Sequence, residues 1–291
     1  MINLENINLN YKDTKALENI NIELPEHGIC GLLGRNGAGK TSLLSLISGY
    51  RQQTSGSLTV NGQQVYENPD ILPRIAYIYD NQKDTEGEYK VKDLLRITEV
   101  LRPNWDSALA NRLVKLFGVK LKKTMSSLSH GQKAAVHVII GLAGQTPITL
   151  YDEAYLGMDA AMRRLFINEL LEDYMQRPKL ILFSTHYINE MENIFSEALI
   201  LHEGRVLAYD SCDALREKGA VITGNVDAVD RFTEGKKILS ERALGNQKEA
   251  VFFCELTESE RQSAKKAGLT ISQPSLQDLF IYLTEKEGEE R

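Results

Sequence analysis

Three short stretches of this 291-residue chain carry residue types and spacings that could do chemistry. The first is "GRNGAGKT", Gly34 to Thr41, which fits G-x-x-x-x-G-K-[S/T]. Glycines let a backbone curl tightly and turn several N–H groups onto one anion. A helix opening directly after the loop adds its positive N-terminal end. Asn36, Gly37, Ala38 and Gly39 would form the cradle, Lys40 can reach outer phosphates, and the Thr41 hydroxyl can ligate Mg²⁺. The second stretch, "ITLYDEAYLGMD", ends an apolar run on two adjacent acids. Asp152 is suited to hold Mg²⁺ through water, and Glu153 to polarise an attacking water beside a terminal phosphate. Taken alone, that pair reads as an exposed acidic turn; downstream of a phosphate loop, the catalytic reading is preferred. The third stretch is "SLSHGQKAA", residues 127–135. It is a polar turn running into an apolar helix, suited to an anion, with no acid, base or metal cluster beside it.

These groups need elements to position them. "GICGLLG", "RIAYIYD", "PITLYDE" and "KLILFSTH" read as strands, and helical patterns separate them. That alternation predicts a mainly parallel sheet covered on both faces. "INLENINLNY" and "LENINIEL" alternate as half-buried strands, and "GSLTVNGQQV" reads as a hairpin on an Asn-Gly turn. "ALILHEGRVLAYD" reads as a second hairpin. Charged helical patterns fill about Lys83 to Met125, a helical insertion bounded near residue 128. Its one tryptophan, Trp105, is expected to pack inside that insertion.

From residue 218 the order strand-helix-strand-strand-helix-strand-helix suggests a small ferredoxin-like domain. "KKILSERAL" is its second strand, and Thr257 with Glu260 has capping-box spacing. The expected division is therefore residues 1–217 and 218–291. Net charge is −6, which does not favour broad binding to nucleic acid or anionic lipid. The three cysteines have neither metal spacing nor an even count, which fits a reducing cytoplasm. The N-terminus lacks a signal-peptide pattern, and the longest apolar stretch is too short to span a bilayer.

The ordered set "GRNGAGKTS", "LSHGQ", "YDEAYLGMD" and "STH" resembles the ATP-binding subunit of an ABC transporter over about residues 1–215. The resemblance implies an α/β fold: a P-loop NTPase (RecA-like) core, an antiparallel β subdomain and the inserted helices. Leu128 to Gln132 matches the family's signature turn except that His130 replaces a glycine. In the family that turn points at the γ-phosphate of ATP held by a second subunit. Ser129 would then donate its hydroxyl, Gly131 would allow close approach, and Gln132 would complete the turn. Tyr11 lies where the family stacks an aromatic on adenine; the plain alternative is a strand tyrosine packing on a neighbour. Ser42 could bond an α-phosphate, Asp159 matches the loop that contacts the other subunit, and His186 the histidine that senses the γ-phosphate. For the Mg²⁺-sensing glutamine Gln82 is chosen, although direct alignment puts Asp80 near that place. Ala154 stands where the family has proline.

The resemblance implies ATP and Mg²⁺ as ligands and hydrolysis of ATP. It also implies a homodimer or a heterodimer with a second ATPase subunit, a transmembrane permease partner, and a peripheral place on the cytoplasmic face of the cell membrane. "PNWD" and "PSLQDLFIYLT" resemble ATPase subunits of bacterial drug, bacitracin-type and antimicrobial-peptide exporters. The alternative is a soluble ATPase of the same class acting in translation or DNA repair. Such proteins usually carry two cassettes or a long coiled coil, and neither is present in this sequence.

Overall fold

The computed structural model describes residues 1–79, 88–185, 188–236, 238–253 and 255–289, with side chains to residue 285. The chain divides into two compact units. One holds Met1–His186 with Leu201–Val206, the other Tyr187–Ile200 with Leu207–Arg291.

The first unit begins with the antiparallel strands β1 (Ile2–Tyr11) and β2 (Thr14–Leu24). β3 (Gly28–Leu33) is buried along its whole length and runs into the glycine loop and helix α1 (Lys40–Ile47). β4 (Ser55–Val60) and β5 (Gln63–Gln64) form the expected hairpin. Asn61 and Gly62 both have positive φ, 50° and 78°, as a type I′ turn requires. These outer strands lie in the order β2–β1–β4–β5, the antiparallel subdomain.

After β6 (Ile75–Tyr79) come the inserted helices α2 (Val91–Leu101) and α3 (Ser107–Leu116). Helix α4 (His130–Ala143) then leads into β7 (Ile148–Asp152), α5 (Ala160–Gln176) and β8 (Leu180–Ser184). Strands β3, β8, β7 and β6 are neighbours in that order and pair in parallel. β7 and β8 are buried at every position, as strands covered on both faces must be. Tyr151 and Phe183 lie 5.2 Å apart between ring centroids, and Phe166 of α5 packs on both, at 5.4 and 5.8 Å. This aromatic cluster clamps α5 to the sheet, and truncating such a ring to alanine costs about 3–5 kcal/mol. The edge of the insertion is tied down by Arg102, which donates to the Ile75 carbonyl at 3.0 Å.

In the second unit, α6 (Ile188–Met191), β9 (Glu197–His202), β10 (Arg205–Ser211) and α7 (Cys212–Glu217) follow. β9 and β10 belong partly to each unit. The rest is β11 (Ala220–Asn225), α8 (Val226–Thr233), β12 (Ser240–Leu244), β13 (Gln247–Phe252), α9 (Glu258–Lys266), β14 (Thr270–Ser272) and α10 (Leu276–Glu289). The sheet order β12–β13–β11–β14, with antiparallel pairing, is the ferredoxin-like arrangement. Ile222, Val229, Phe252, Ala264 and Leu269 form its core. β12 starts at Ser240, later than the alternation suggested: Ile238 and Leu239 pack on that core, and Leu239 donates its N–H to the Val251 carbonyl of β13 at 2.7 Å. The short helices α6 and α7 were not anticipated from the sequence.

The expected capping box is formed: the Thr257 side chain accepts from the Glu260 N–H, and Glu260 Oε2 accepts from the Thr257 N–H at 2.8 Å. Glu260 is also bonded by Lys236. These bonds, Lys236 first, pull the Glu260 carboxyl down from 4.5 to about 2. A carboxylate with a depressed native value stabilises the fold above its unfolded value and loses that contribution as pH falls. The urea midpoint of the wild-type chain should therefore carry a component that declines from about pH 4.5 towards pH 2, and Glu260→Gln should remove it. Because the group is partly open to solvent, which screens the pair, the effect is expected to stay below about 1 kcal/mol.

Candidate functional site

The phosphate loop leaves β3 at Gly34 and re-enters regular structure at Lys40. Gly39 has φ +104°, and a Cβ there would lie 2.8 Å from the Ala16 carbonyl oxygen. Only glycine fits both the conformation and the space. Asn36 and Gly37 are exposed at the tip, whereas Ala38 is buried and its carbonyl accepts from the Gly204 N–H at 3.0 Å. Lys40 is 7% exposed, and its ammonium donates to the carbonyls of Gly34 (2.7 Å) and Arg35 (3.2 Å). The lysine thus closes its own loop into a ring. Burial pushes the Lys40 ammonium below its ordinary range, and the charges of Glu153 and Asp152 oppose that shift.

Lys40, Thr41 and Ser42 form the first turn of α1, where backbone N–H groups have no partner within the helix. The Thr41 side chain is exposed. The Ser42 hydroxyl lies 3.4 Å from the Tyr11 hydroxyl. The Arg51 guanidinium stands 4.9 Å from the Tyr11 ring centroid, a cation–π contact. Tyr11 is therefore placed beside the loop, with a packing partner of its own.

Asp152 ends β7 and is 6% exposed. Its Oδ2 accepts a hydrogen bond of 3.0 Å from the Tyr77 hydroxyl. Burial, and then the Asp152 charge, push the Tyr77 phenol up, so it remains a donor. At the next residue the chain turns out of the sheet: Glu153 has φ 52°, and its N–H donates to the Ser184 carbonyl at 3.2 Å. A left-handed, non-glycine residue at a strand end is sterically costly and is typical of functional positions.

The turn at residues 128–132 is a helix start. Ser129 is the N-cap of α4, and its Oγ accepts from the Gln132 N–H at 3.3 Å. The serine proton is left to donate elsewhere. Gly131 is buried, and a Cβ there would sit 2.6 Å from the Gly157 carbonyl oxygen. Conversely, a Cβ on Gly157 would sit 2.5 Å from His130 Nδ1. The turn and the loop after Glu153 are therefore fitted backbone to backbone, and the His130 ring occupies space that any side chain at 157 would need. Asp159 caps α5, accepting from the Met162 N–H at 2.8 Å.

Residues 17–156 match the family model described as ABC transporter. The chain is 26% identical over 218 residues to the ABC transporter ATP-binding protein YtrB of Bacillus subtilis, covering 75% of this chain and 74% of that one. These residues form an ABC transporter ATP-binding cassette.

The cassette binds and hydrolyses ATP, as that family does. It is also 27% identical over 215 residues to the bacitracin transport ATP-binding protein BcrA of Bacillus licheniformis, covering 72% and 69%. A relative named for import, the osmoprotectant import protein OsmV of Salmonella typhimurium, is 26% identical over 235 residues, covering 76% and 61%. The fold of the cassette matches a dimeric bacterial ABC transporter cassette, MJ0796, with TM-score 0.64 at 20% identity, covering 72% of this chain and 98% of that one.

Of the residues singled out in the cassette, Gln82, its alternative Asp80, and His186 lie outside the described residues. Lys40, Asp152 and Glu153 are brought into one electrostatic group, and Tyr11 meets Ser42. Trp105 is half-buried and lines a groove of the insertion with Leu95, Ala110 and Leu121. Among the described residues no group of three His, Cys, Asp or Glu side chains could hold a metal. Mg²⁺ in nucleotide sites takes one or two protein oxygens and completes its shell with water and substrate phosphates. Thr41 and Asp152 offer such oxygens. Sequence reasoning overlooked Tyr77 and Gly157. The available signal for Tyr77 was its period-two spacing with Tyr79 on β6, which puts both on the face that Asp152 takes on β7.

Proposed function

We propose that this chain is the ATP-hydrolysing subunit of an exporter and drives a separate transmembrane subunit by closing, with a second ATPase subunit, over ATP. The observation that carries the proposal is the grouping of buried Lys40 with Asp152 and Glu153 at the mouth of the phosphate loop. ATP displaces the loop carbonyls from the Lys40 ammonium, which turns to the outer phosphates. The first-turn N–H groups of α1 and the Ser42 hydroxyl hold the inner ones. Tyr11, braced by Arg51, meets adenine.

Thr41 and Asp152 would hold Mg²⁺, and that ion, when bound, offsets phosphate charge. Glu153 orients a water for attack on the γ-phosphate and accepts its proton. Ser129, exposed at the start of α4, donates to the γ-phosphate held by the facing subunit, and Asp159 meets that subunit. Hydrolysis removes the bridging phosphate, and the subunits part.

The proposed membrane partner is a separate chain; among the described residues of this one no helix is long and apolar enough to cross a membrane. The proposed seat is α2, where Ile97, Val100 and Leu101 are exposed beside a groove lined by Tyr79, His137 and Ile140. The chain then lies on the cytoplasmic face of the membrane. Export is favoured by the "PNWD" and C-terminal patterns and by the likeness to the bacitracin transport protein.

The test is co-purification from detergent-solubilised membranes. A multi-span membrane protein should come down with the wild-type chain, and Val100→Asp with Leu101→Asp should release it while leaving ATP binding intact. A stable complex with ribosomes, and none with a membrane protein, would overturn the transporter reading.

A further inference from the structure

We propose that Tyr77 is a positioning residue for the cation: its hydroxyl, bonded to Asp152 Oδ2, fixes the carboxylate in the orientation that receives Mg²⁺. The inference rests on the reading of Asp152 as a metal-holding residue.

The argument starts from the strand register. β6 and β7 run parallel, with Tyr77 opposite Leu150 and Tyr79 opposite Asp152. Residues two apart on a strand share a face, so Tyr77 and Asp152 point the same way. A tyrosine is long enough to reach forward past one pair, and its hydroxyl meets the carboxylate at 3.0 Å. The Tyr79 ring, 5.0 Å away between centroids, packs against the Tyr77 ring and holds it there. Ring and hydroxyl are thus fixed by different neighbours.

Asp152 needs such a restraint. It is the last residue of its strand, followed at once by the left-handed Glu153. A carboxylate has about four lone-pair sites, so accepting from Tyr77 leaves room for a metal-bound water. With one oxygen pinned, the other keeps a single direction in the free and loaded states. A group that holds a metal-binding side chain in this way typically contributes about 10–100-fold to metal affinity. The bond links two residues of the sheet, so it is present before nucleotide arrives.

The experiment uses Tyr77→Phe in the full chain, with Mn²⁺ as a spectroscopic substitute for Mg²⁺. Mn²⁺ is titrated by electron paramagnetic resonance in the presence of a non-hydrolysable ATP analogue. Loss of the hydroxyl is expected to weaken Mn²⁺ about tenfold or more. Affinity for the analogue in EDTA should change by less than about twofold, since Tyr77 has no part in the phosphate loop. In an Asp152→Asn background the same tyrosine change should have no further effect on Mn²⁺. Unchanged Mn²⁺ affinity in Tyr77→Phe overturns the inference, as does an equal loss in the Asn background. A fall in analogue affinity in EDTA matching the metal loss overturns it too, because it would mean the loop had been disturbed. If the wild-type chain binds the analogue without taking up Mn²⁺, the reading of Asp152 fails and the inference fails with it. Mn²⁺ binding by wild type with no difference in Tyr77→Phe removes the inference alone.

Discussion

Glu153→Gln is expected to bind ATP with close to normal affinity and to hydrolyse it about 10²–10⁴ times more slowly. Glutamine matches glutamate in length and shape and still offers an acceptor oxygen, but it cannot take a proton. The comparison is clean because of the backbone. Residue 153 sits at φ 52°, a conformation that costs glutamate and glutamine alike. Its N–H bond to the Ser184 carbonyl does not involve the side chain. The Lys40 ammonium loses one of the two acidic neighbours that sustain its charge, and Asp152 remains. Binding should therefore survive. With hydrolysis blocked, ATP stays as the bridge between subunits, and a dimer should accumulate when ATP is added. Phosphate release and light scattering after gel filtration measure the two effects. Hydrolysis within a few fold of wild type would remove Glu153 from the catalytic role.

What could be read from the sequence was what local chemistry decides. The Asn61-Gly62 turn, the Thr257–Glu260 capping box and the glycine loop are set by residues within a few positions of one another, and all three are present. The parallel core followed from long apolar runs, which have few other places to go. The ferredoxin-like order followed from the alternation of short patterns, although β12 begins only at Ser240, after Ile238 and Leu239, which pack on the core. What was not legible depends on distant partners. The spacing of Tyr77 and Tyr79 puts both on one face of β6, but only the register with β7 shows that the Tyr77 hydroxyl meets residue 152, 75 positions away. Nothing near Gly131 says that the Gly157 carbonyl lies against it. A glycine at 131 suggested close approach to a ligand; within the chain the approach is to its own backbone. The division into units was also hidden, because β9 and β10 are split between them and no single cut in sequence reproduces that.

The packing around Ser129 sets the terms for the second large effect. Ser129→Arg is expected to leave ATP binding to the chain's own loop unchanged, to prevent the ATP-dependent dimer, and to abolish cooperative hydrolysis. Two consequences of the change must be separated. The first is loss of the N-cap, since the Ser129 Oγ no longer accepts from Gln132, which costs about 1 kcal/mol of helix stability. Ser129→Ala shares that loss, so it serves as the control. The second is bulk. Arginine is cationic and would be drawn to phosphate, so charge alone favours closure; shape opposes it. The start of α4 cannot retreat to make room, because Gly131 already lies against the Gly157 carbonyl and His130 against Gly157 itself. Overfilling a close-packed contact costs about 1–3 kcal/mol. A two-fold dimer repeats the contact, giving about 2–6 kcal/mol, roughly 30-fold to 10⁴-fold in the closure equilibrium. Shape is therefore expected to win. Equilibrium nucleotide binding, dimer formation in the Glu153→Gln background and the ATP dependence of the rate distinguish the cases. Ser129→Ala should lose some thermal stability and some rate yet still dimerise. Cooperative hydrolysis at the normal rate by Ser129→Arg would mean that this turn does not face ATP on a second subunit.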